Sequence, residues 1–114
     1  MDLSTETEER ATVVHVNEDR IDAAVAIEFK EAMRGATAEA PGRIVLDLSQ
    51  VQFIDSSGLG AIVASMKLLG GDRRMALAGL TPTVAKVFRL TRMDSIFDVF
   101  DSVEGALTAG AARG

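Results

Sequence analysis

The feature that most restricts the fold of this chain is an alternation of apolar runs with amphipathic segments from residue 43 onward. Residues 43–48 (RIVLDL) are nearly continuously apolar, residues 75–78 (MALA) repeat the pattern, and a short third run lies near residues 98–100. Such runs are typical of strands buried on both faces of a sheet. Because helical segments separate them, the strands are expected to be parallel and joined by right-handed crossovers. The alternation predicts an open α/β sheet.

Apolar side chains at helical spacing define the segments between these strands. One helix is expected from residue 57 to about residue 69, and Gly70-Gly71 is expected to end it. Another begins at Thr81-Pro82, an N-cap followed by proline at the first helical position. The inward positions are Leu59, Ile62, Val63, Met66 and Leu69 in the first helix, and Val84, Val87 and Phe88 in the second.

Two further helices are expected from capping signals. Asp22 is the expected N-cap of a helix that runs to about Ala36. Its inward positions are Val25, Phe29, Ala32, Met33 and Ala36. Asp101 and Glu104 form an expected capping pair for a last helix that ends near Ala109.

The N-terminal part predicts a hairpin of two strands, residues 3–8 and 11–16. With 114 residues the chain has the size of one domain. The predicted fold is therefore a single α/β domain, residues 1–114, with a mixed and mostly parallel sheet, an N-terminal hairpin and about four helices. We expect its core over residues 3–109 and a flexible tail over residues 110–114.

Charge and composition exclude several classes of function. The net charge is −5, whereas nucleic-acid binding requires clustered Lys and Arg, so we expect no nucleic-acid partner. The absence of cysteine excludes thiolate metal sites, and we expect no metal and no cofactor. No apolar run approaches the roughly 20 residues of a membrane span, and the first ten residues are too polar and acidic for a signal peptide. A cytoplasmic protein with no membrane insertion is expected.

The junction between the central strand and the following helix carries the sequence FIDSSGLGAIV, residues 53–63. It does not complete a dinucleotide fingerprint, because Val63 stands where the third glycine is required. Neither serine completes a G-x-S-x-G nucleophile elbow, and no P-loop string exists. His15, the only histidine, lies in an apolar strand and is more typical of a strand side chain than of a general base. An enzyme or nucleotide-binding domain is therefore disfavoured.

Helix capping explains only part of this junction. One of Asp55, Ser56 and Ser57 suffices to cap the helix. Capping does not explain Gly58 and Gly60. These residues need an explanation because glycine in a helix costs about 1 kcal/mol relative to alanine. Small residues here would let another surface approach the backbone closely.

The block VLDLSQVQFIDSSGLG, with AGLTPTVAKVFRLTRMDSIFDVF after it, resembles the bacterial anti-sigma factor antagonists of the STAS domain family. The resemblance covers nearly the whole chain and includes the earlier strand that ends in Ile21-Asp22. One departure is visible, since Glu18-Asp19-Arg20 stands where the family usually has a Gly-Glu pair.

The resemblance implies a protein-binding switch and no enzyme activity. Ser56 matches the serine that an anti-sigma factor, itself a serine kinase of the kinase-like ATPase type, phosphorylates; a serine phosphatase resets the switch. The implied partner-binding residues are Asp22, Ile54, Asp55, Ser56, Ser57, Gly58, Leu59, Gly60 and Ala61. Two alternatives stay open: a STAS subunit that assists a transporter without phosphorylation, and a partner-switching regulator whose output is not a sigma factor.

Overall fold

The structure is a computed structural model that describes residues 1–8, 10–40, 42–69 and 75–113, with side chains as far as residue 109. Its main sheet has five strands in the order β1-β2-β4-β6-β7. These strands are β1 (Leu3–Glu8), β2 (Ala11–Val16), β4 (Arg43–Asp47), β6 (Met75–Ala78) and β7 (Asp98–Phe100). β1 pairs antiparallel with β2, and all other neighbours are parallel. The predicted mixed sheet with an N-terminal hairpin is confirmed.

Two short strands form a separate parallel pair; the first agrees with the strand ending in Ile21-Asp22 that the resemblance implied, and the second was not predicted. They are β3 (Arg20–Ile21) and β5 (Phe53–Ile54). β3 leads through a turn into the first helix, and β5 leads through Asp55 into the second.

Four helices cover the two faces of the main sheet, as predicted. They are α1 (Ala26–Thr37), α2 (Ser56–Leu68), α3 (Pro82–Leu90) and α4 (Val103–Arg113), with a short 3₁₀ turn at Met93–Ser95. Alternate strand residues face opposite sides of the sheet. Val14, Leu46 and Leu77 pack with side chains of α1, α2 and α3, whereas Val13, Val45 and Ala76 pack with α4.

The first helix does not begin where the sequence predicted. Asp22 is not its N-cap, because a turn intervenes and α1 starts at Ala26 with Val25 at the cap position. Within that turn the carboxylate of Asp22 accepts a hydrogen bond from the Ala24 N–H at 3.1 Å. The Asp22 carbonyl accepts another from the Val25 N–H at 3.1 Å. Aspartate bonds readily to nearby backbone amides in turns as well as at helix caps, and here the turn prevails.

The later helix boundaries are partly as predicted. α3 begins at Pro82 after Thr81, although the Thr81 hydroxyl donates to the Val51 carbonyl at 2.7 Å and does not cap the helix. The predicted pairing of Asp101 with Glu104 is wrong as the cap of α4. Ser102 fills that role, because its hydroxyl accepts from the Gly105 N–H at 3.0 Å.

The last helix, α4, ends later than predicted, and the predicted end of α2 lies outside the described residues. α4 continues to Arg113, beyond the expected end near Ala109 and into the segment expected to be a flexible tail. Gly70-Gly71, the predicted stop of α2, and Gly114 lie outside the described residues. Within the described part of the chain, no helix has the combined length and hydropathy of a membrane span.

Candidate partner-binding site

The pairing of β3 with β5 sets the geometry of the junction. Arg20 lies opposite Phe53, and Ile21 lies opposite Ile54. Both isoleucines are buried, so their strand neighbours face outward. Extending this register by one residue places Asp22 level with Asp55. The Ala23 N–H donates to the Asp55 carboxylate at 3.0 Å, which confirms that the two segments meet.

Asp55 is the N-cap of α2. Its extended backbone ends β5, and its other carboxylate oxygen accepts from the Gly58 N–H at 2.9 Å. This hydrogen bond is the largest influence on the pKa of Asp55; desolvation opposes it, but with further donation from the Ala23 and Ser57 amides the net pKa is lowered. The carboxylate is thus a fixed negative charge at the N-terminal end of α2, where the helix dipole favours it.

The two glycines of the motif have different roles. A Cβ on Gly58 would lie 1.9 Å from the carbonyl oxygen of Ile21, so only glycine lets α2 pack against β3. The close surface that Gly58 admits is thus part of the chain itself. A Cβ on Gly60 would meet nothing within 4 Å, and this glycine is exposed. Nothing in the surrounding packing requires glycine at position 60.

The predicted site residues divide into a surface and its support. Ser56 and Ser57, at the first two positions of α2, and Gly60 are exposed, while Asp22 and Asp55 are partly buried. The other predicted residues, Ile54, Gly58, Leu59 and Ala61, are buried. Ile54, Leu59 and Ala61 belong to the core and Gly58 lies against the Ile21 carbonyl, so these residues can shape a docking surface without lying on it.

Arg20 and Phe53 lie beside the predicted site residues but were not among them. Nε of Arg20 lies 2.9 Å from a carboxylate oxygen of Asp22, and the guanidinium carbon lies 5.2 Å from the centre of the Phe53 ring. Phe53 remains 42% exposed. Alternate residues of an extended segment face the same side, so Arg20 and Asp22 share one side with Phe53 and Asp55. Strands of two residues are too short for this alternation to be recognised in a sequence.

His15 lies in β2, as predicted, and contacts two carboxylates. Its Nδ1 is 2.6 Å from Asp47, and its Nε2 is 2.8 Å from Glu6. Burial of the ring lowers the pKa of His15, but the hydrogen bonds and charges of Asp47 and Glu6 outweigh it and the net pKa is raised. These three residues join β1, β2 and β4. Among the described residues, no group of three or more acidic, histidine or cysteine side chains is arranged to hold a metal ion.

Comparison with known proteins identifies the family of this chain. The STAS domain family model matches residues 2–106. The chain belongs to the STAS domain family.

Two curated relatives of this STAS domain are named as antagonists of anti-sigma factors. The anti-sigma F factor antagonist of Paenibacillus polymyxa is 34% identical over 74% of this chain and 70% of its own length. The anti-sigma-B factor antagonist of Listeria monocytogenes is 30% identical over 98% of this chain and 100% of its own length.

A solved structure supports the same assignment. An anti-sigma factor antagonist from Mycobacterium paratuberculosis is 28% identical and superposes with a TM-score of 0.85 over 96% of this chain and 93% of that one. The similarity therefore extends over nearly the whole chain.

Proposed function

We propose that this STAS domain is an anti-sigma factor antagonist that is switched by phosphorylation of Ser56. The observation that carries the proposal is the position of Ser56: it is exposed at the first turn of α2, next to Asp55, which is fixed between two segments of the chain. The relatives named for the same activity support the proposal. The protein acts in the cytoplasm, where its partners are.

In the unphosphorylated form, the exposed motif residues dock on an anti-sigma factor and displace its sigma factor. The docking surface consists of Ser56, Ser57 and Gly60, with Asp22 and Asp55 at its edge. The buried residues Ile54, Gly58, Leu59 and Ala61 hold this surface in shape. The anti-sigma factor is itself a serine kinase of the kinase-like ATPase type, so the docked state also presents the hydroxyl of Ser56 for phosphorylation.

Phosphorylation weakens the complex through charge and volume. It adds roughly −1.5 to −2 charge at position 56. Isolated helix N-termini bind phosphate well through their free amides. Here Asp55 already occupies the Gly58 amide, so the phosphate stands beside that carboxylate with one fewer donor available. A loss of about 3–4 kcal/mol of binding free energy would weaken the complex several hundredfold. A serine phosphatase restores the active form.

The proposal is tested by capture from the native cytoplasm with purified wild-type, Ser56→Ala and Ser56→Asp proteins. We expect the first two to retain a kinase-like anti-sigma factor and Ser56→Asp to lose it. Mass spectrometry identifies the captured protein. Incubation of that purified protein with wild-type antagonist and Mg-ATP should then transfer phosphate to the antagonist. Capture of the same proteins by all three forms, or no phosphate transfer, would contradict the proposal.

A further inference from the structure

Arg20 carries a positive charge on the outer side of the β3–β5 pair. Its Nε lies 2.9 Å from a carboxylate oxygen of Asp22, and its guanidinium carbon lies 5.2 Å from the centre of the Phe53 ring. The side chain of Arg20 is 57% exposed, whereas that of Asp22 is 18% exposed. The arginine can therefore reorient through solvent while Asp22 stays in place.

The contacts of Asp55 place this ion pair next to Ser56. The Ala23 N–H donates to the Asp55 carboxylate at 3.0 Å, so Asp22 and Asp55 occupy neighbouring positions on the two paired segments. Ser56 follows Asp55 directly and is exposed. A guanidinium that already reaches Asp22 thus needs a shift of about 4 Å, one residue spacing, to meet a group attached to Ser56.

A phosphate on Ser56 stands in an acidic environment, because Asp55 is its neighbour in sequence and Asp22 lies on the adjacent segment. The phosphate adds roughly −1.5 to −2 charge, whereas a carboxylate carries one. Arginine binds phosphate through paired, charge-assisted N–H···O bonds. Asp22 keeps its hydrogen bond from the Ala24 N–H, at 3.1 Å, if the arginine leaves. The phosphate is therefore the stronger partner for Arg20, and the turn after β3 does not depend on the ion pair.

We propose that Arg20 is the counter-ion of phosphorylated Ser56 and that it exchanges Asp22 for the phosphate. The inference rests on the proposed function, which supplies the phosphate. In the unphosphorylated protein, Arg20 neutralises Asp22 at the edge of the docking surface. In the phosphorylated protein, Arg20 binds the phosphate and leaves Asp22 without its cation. The modification therefore changes the charge at position 22 as well as at position 56.

The test measures the second pKa of the phosphate by ³¹P NMR. Phosphoserine is installed at position 56 of the whole chain by genetic encoding, so the measurement does not depend on any kinase. Arg20→Gln is compared with Arg34→Gln, and each substitution removes one positive charge. Arg34 is exposed and lines a surface pocket with Leu68, near the C-terminal end of α2. Leu68 lies 12 residues beyond Ser56, about 18 Å along the helix axis, and charges at such separations are largely screened.

We expect Arg20→Gln to raise the phosphate pKa by about 0.5 pH unit, because the dianion loses its cation. Arg34→Gln should change it by no more than about 0.1 pH unit. Arg20→Lys should stay closer to wild type than Arg20→Gln, and thermal unfolding checks that each variant is folded. In wild type, the NMR signal of the Arg20 Nε–H should move on phosphorylation and should titrate with the phosphate.

Two results would overturn the exchange: equal phosphate pKa values in Arg20→Gln and Arg34→Gln, or an Arg20 Nε–H signal that is the same with and without phosphate. Phosphate transfer from Mg-ATP by the captured kinase decides the proposed function separately. If transfer to wild type is normal and the phosphate pKa is insensitive to Arg20, the exchange is removed and the proposed function stands. If wild type receives no phosphate, the proposed function fails and the role of the exchange fails with it.

Discussion

The backbone N–H of Ala23 donates to the carboxylate of Asp55 across 3.0 Å and 32 residues of sequence. This contact joins the turn before α1 to the cap of α2. The same carboxylate accepts from the Gly58 N–H, so one side chain bonds to both the turn before α1 and the first turn of α2. The exposed serine that follows is consequently held on a rigid base, which suits a residue that a partner must recognise in one geometry.

The two glycines of the motif should respond oppositely to substitution by alanine. Gly58→Ala places a methyl group against the Ile21 carbonyl, and we expect a loss of about 1–3 kcal/mol in the free energy of unfolding. Gly60→Ala removes a helix-destabilising glycine from open space, and we expect a gain of up to about 1 kcal/mol. Urea denaturation of both variants measures these changes.

Gly60→Ala also separates folding from docking. If the kinase lies close to the backbone at position 60, the more stable variant should bind it more weakly than wild type. Titration with the purified kinase provides the comparison. A variant that gains stability and binds unchanged would show that the open space at Gly60 is not used.

The His15 cluster should make stability depend on pH in a predictable direction. The folded-state pKa of His15 lies above its ordinary 6.5, so its contribution to stability is full below pH 6.5 and is lost as the pH rises through the folded pKa. For Asp47, desolvation raises the pKa, but donation from Ser49 and His15 outweighs it and the net pKa is lowered below 3.8. Its contribution is full above pH 3.8 and is lost as the pH falls through the folded pKa.

We therefore expect the contribution of His15 and Asp47 to the free energy of unfolding to be highest between about pH 4 and 6.5. His15→Gln is the matched variant, because it keeps hydrogen-bonding capacity and cannot gain a proton. Urea denaturation across the pH range should show a smaller decline for His15→Gln above pH 6.5. Identical profiles for the two proteins would contradict the role assigned to the histidine.

Asp22→Asn should leave the fold nearly intact. Asparagine keeps an oxygen that can accept from the Ala24 N–H, while the ion pair with the exposed Arg20 is worth about 1 kcal/mol. If Asp22 belongs to the docking surface, the variant should be phosphorylated more slowly at equal stability. Initial rates with the purified kinase measure this, and wild-type rates would remove Asp22 from the surface.

Ser56, and not Ser57, should accept the phosphate. Both hydroxyls are exposed in the first turn of α2, so burial does not distinguish them, and the assignment rests on the family position. Peptide mass spectrometry after incubation with the kinase and ATP should locate the phosphate on Ser56. Ser57→Ala is the control and should still be phosphorylated. Phosphate found on Ser57 alone would refute the assignment.

The sequence predicted the long elements well, because each has a clear period or boundary signal. The bounds of β1, β2 and β6 were predicted to the residue, β7 lies where a short strand was expected, and the start of α3 follows from Thr81-Pro82. The cap of α4 was placed one residue too early, because aspartate and serine are both favoured at that position and stand side by side.

The site was predicted less completely, because its decisive contacts are tertiary. The capping role of one residue among 55–57 was expected, and the structure assigns it to Asp55. The reason for Gly58 could not be predicted, since it depends on the carbonyl of Ile21, 37 residues earlier. Asp22 was assigned to a helix cap because its propensity for turns gives the same signal.

The most direct test of the phospho-switch is a titration of the purified kinase with unphosphorylated, phosphorylated and Ser56→Asp antagonist, with thermal unfolding of each. We expect similar melting temperatures, because an acidic group at the start of α2 is compatible with the helix dipole. We expect phosphorylated protein to bind several hundredfold more weakly than unphosphorylated protein, and Ser56→Asp to lie between them, since a carboxylate carries less charge than phosphate. Equal dissociation constants for the phosphorylated and unphosphorylated forms would contradict the switch.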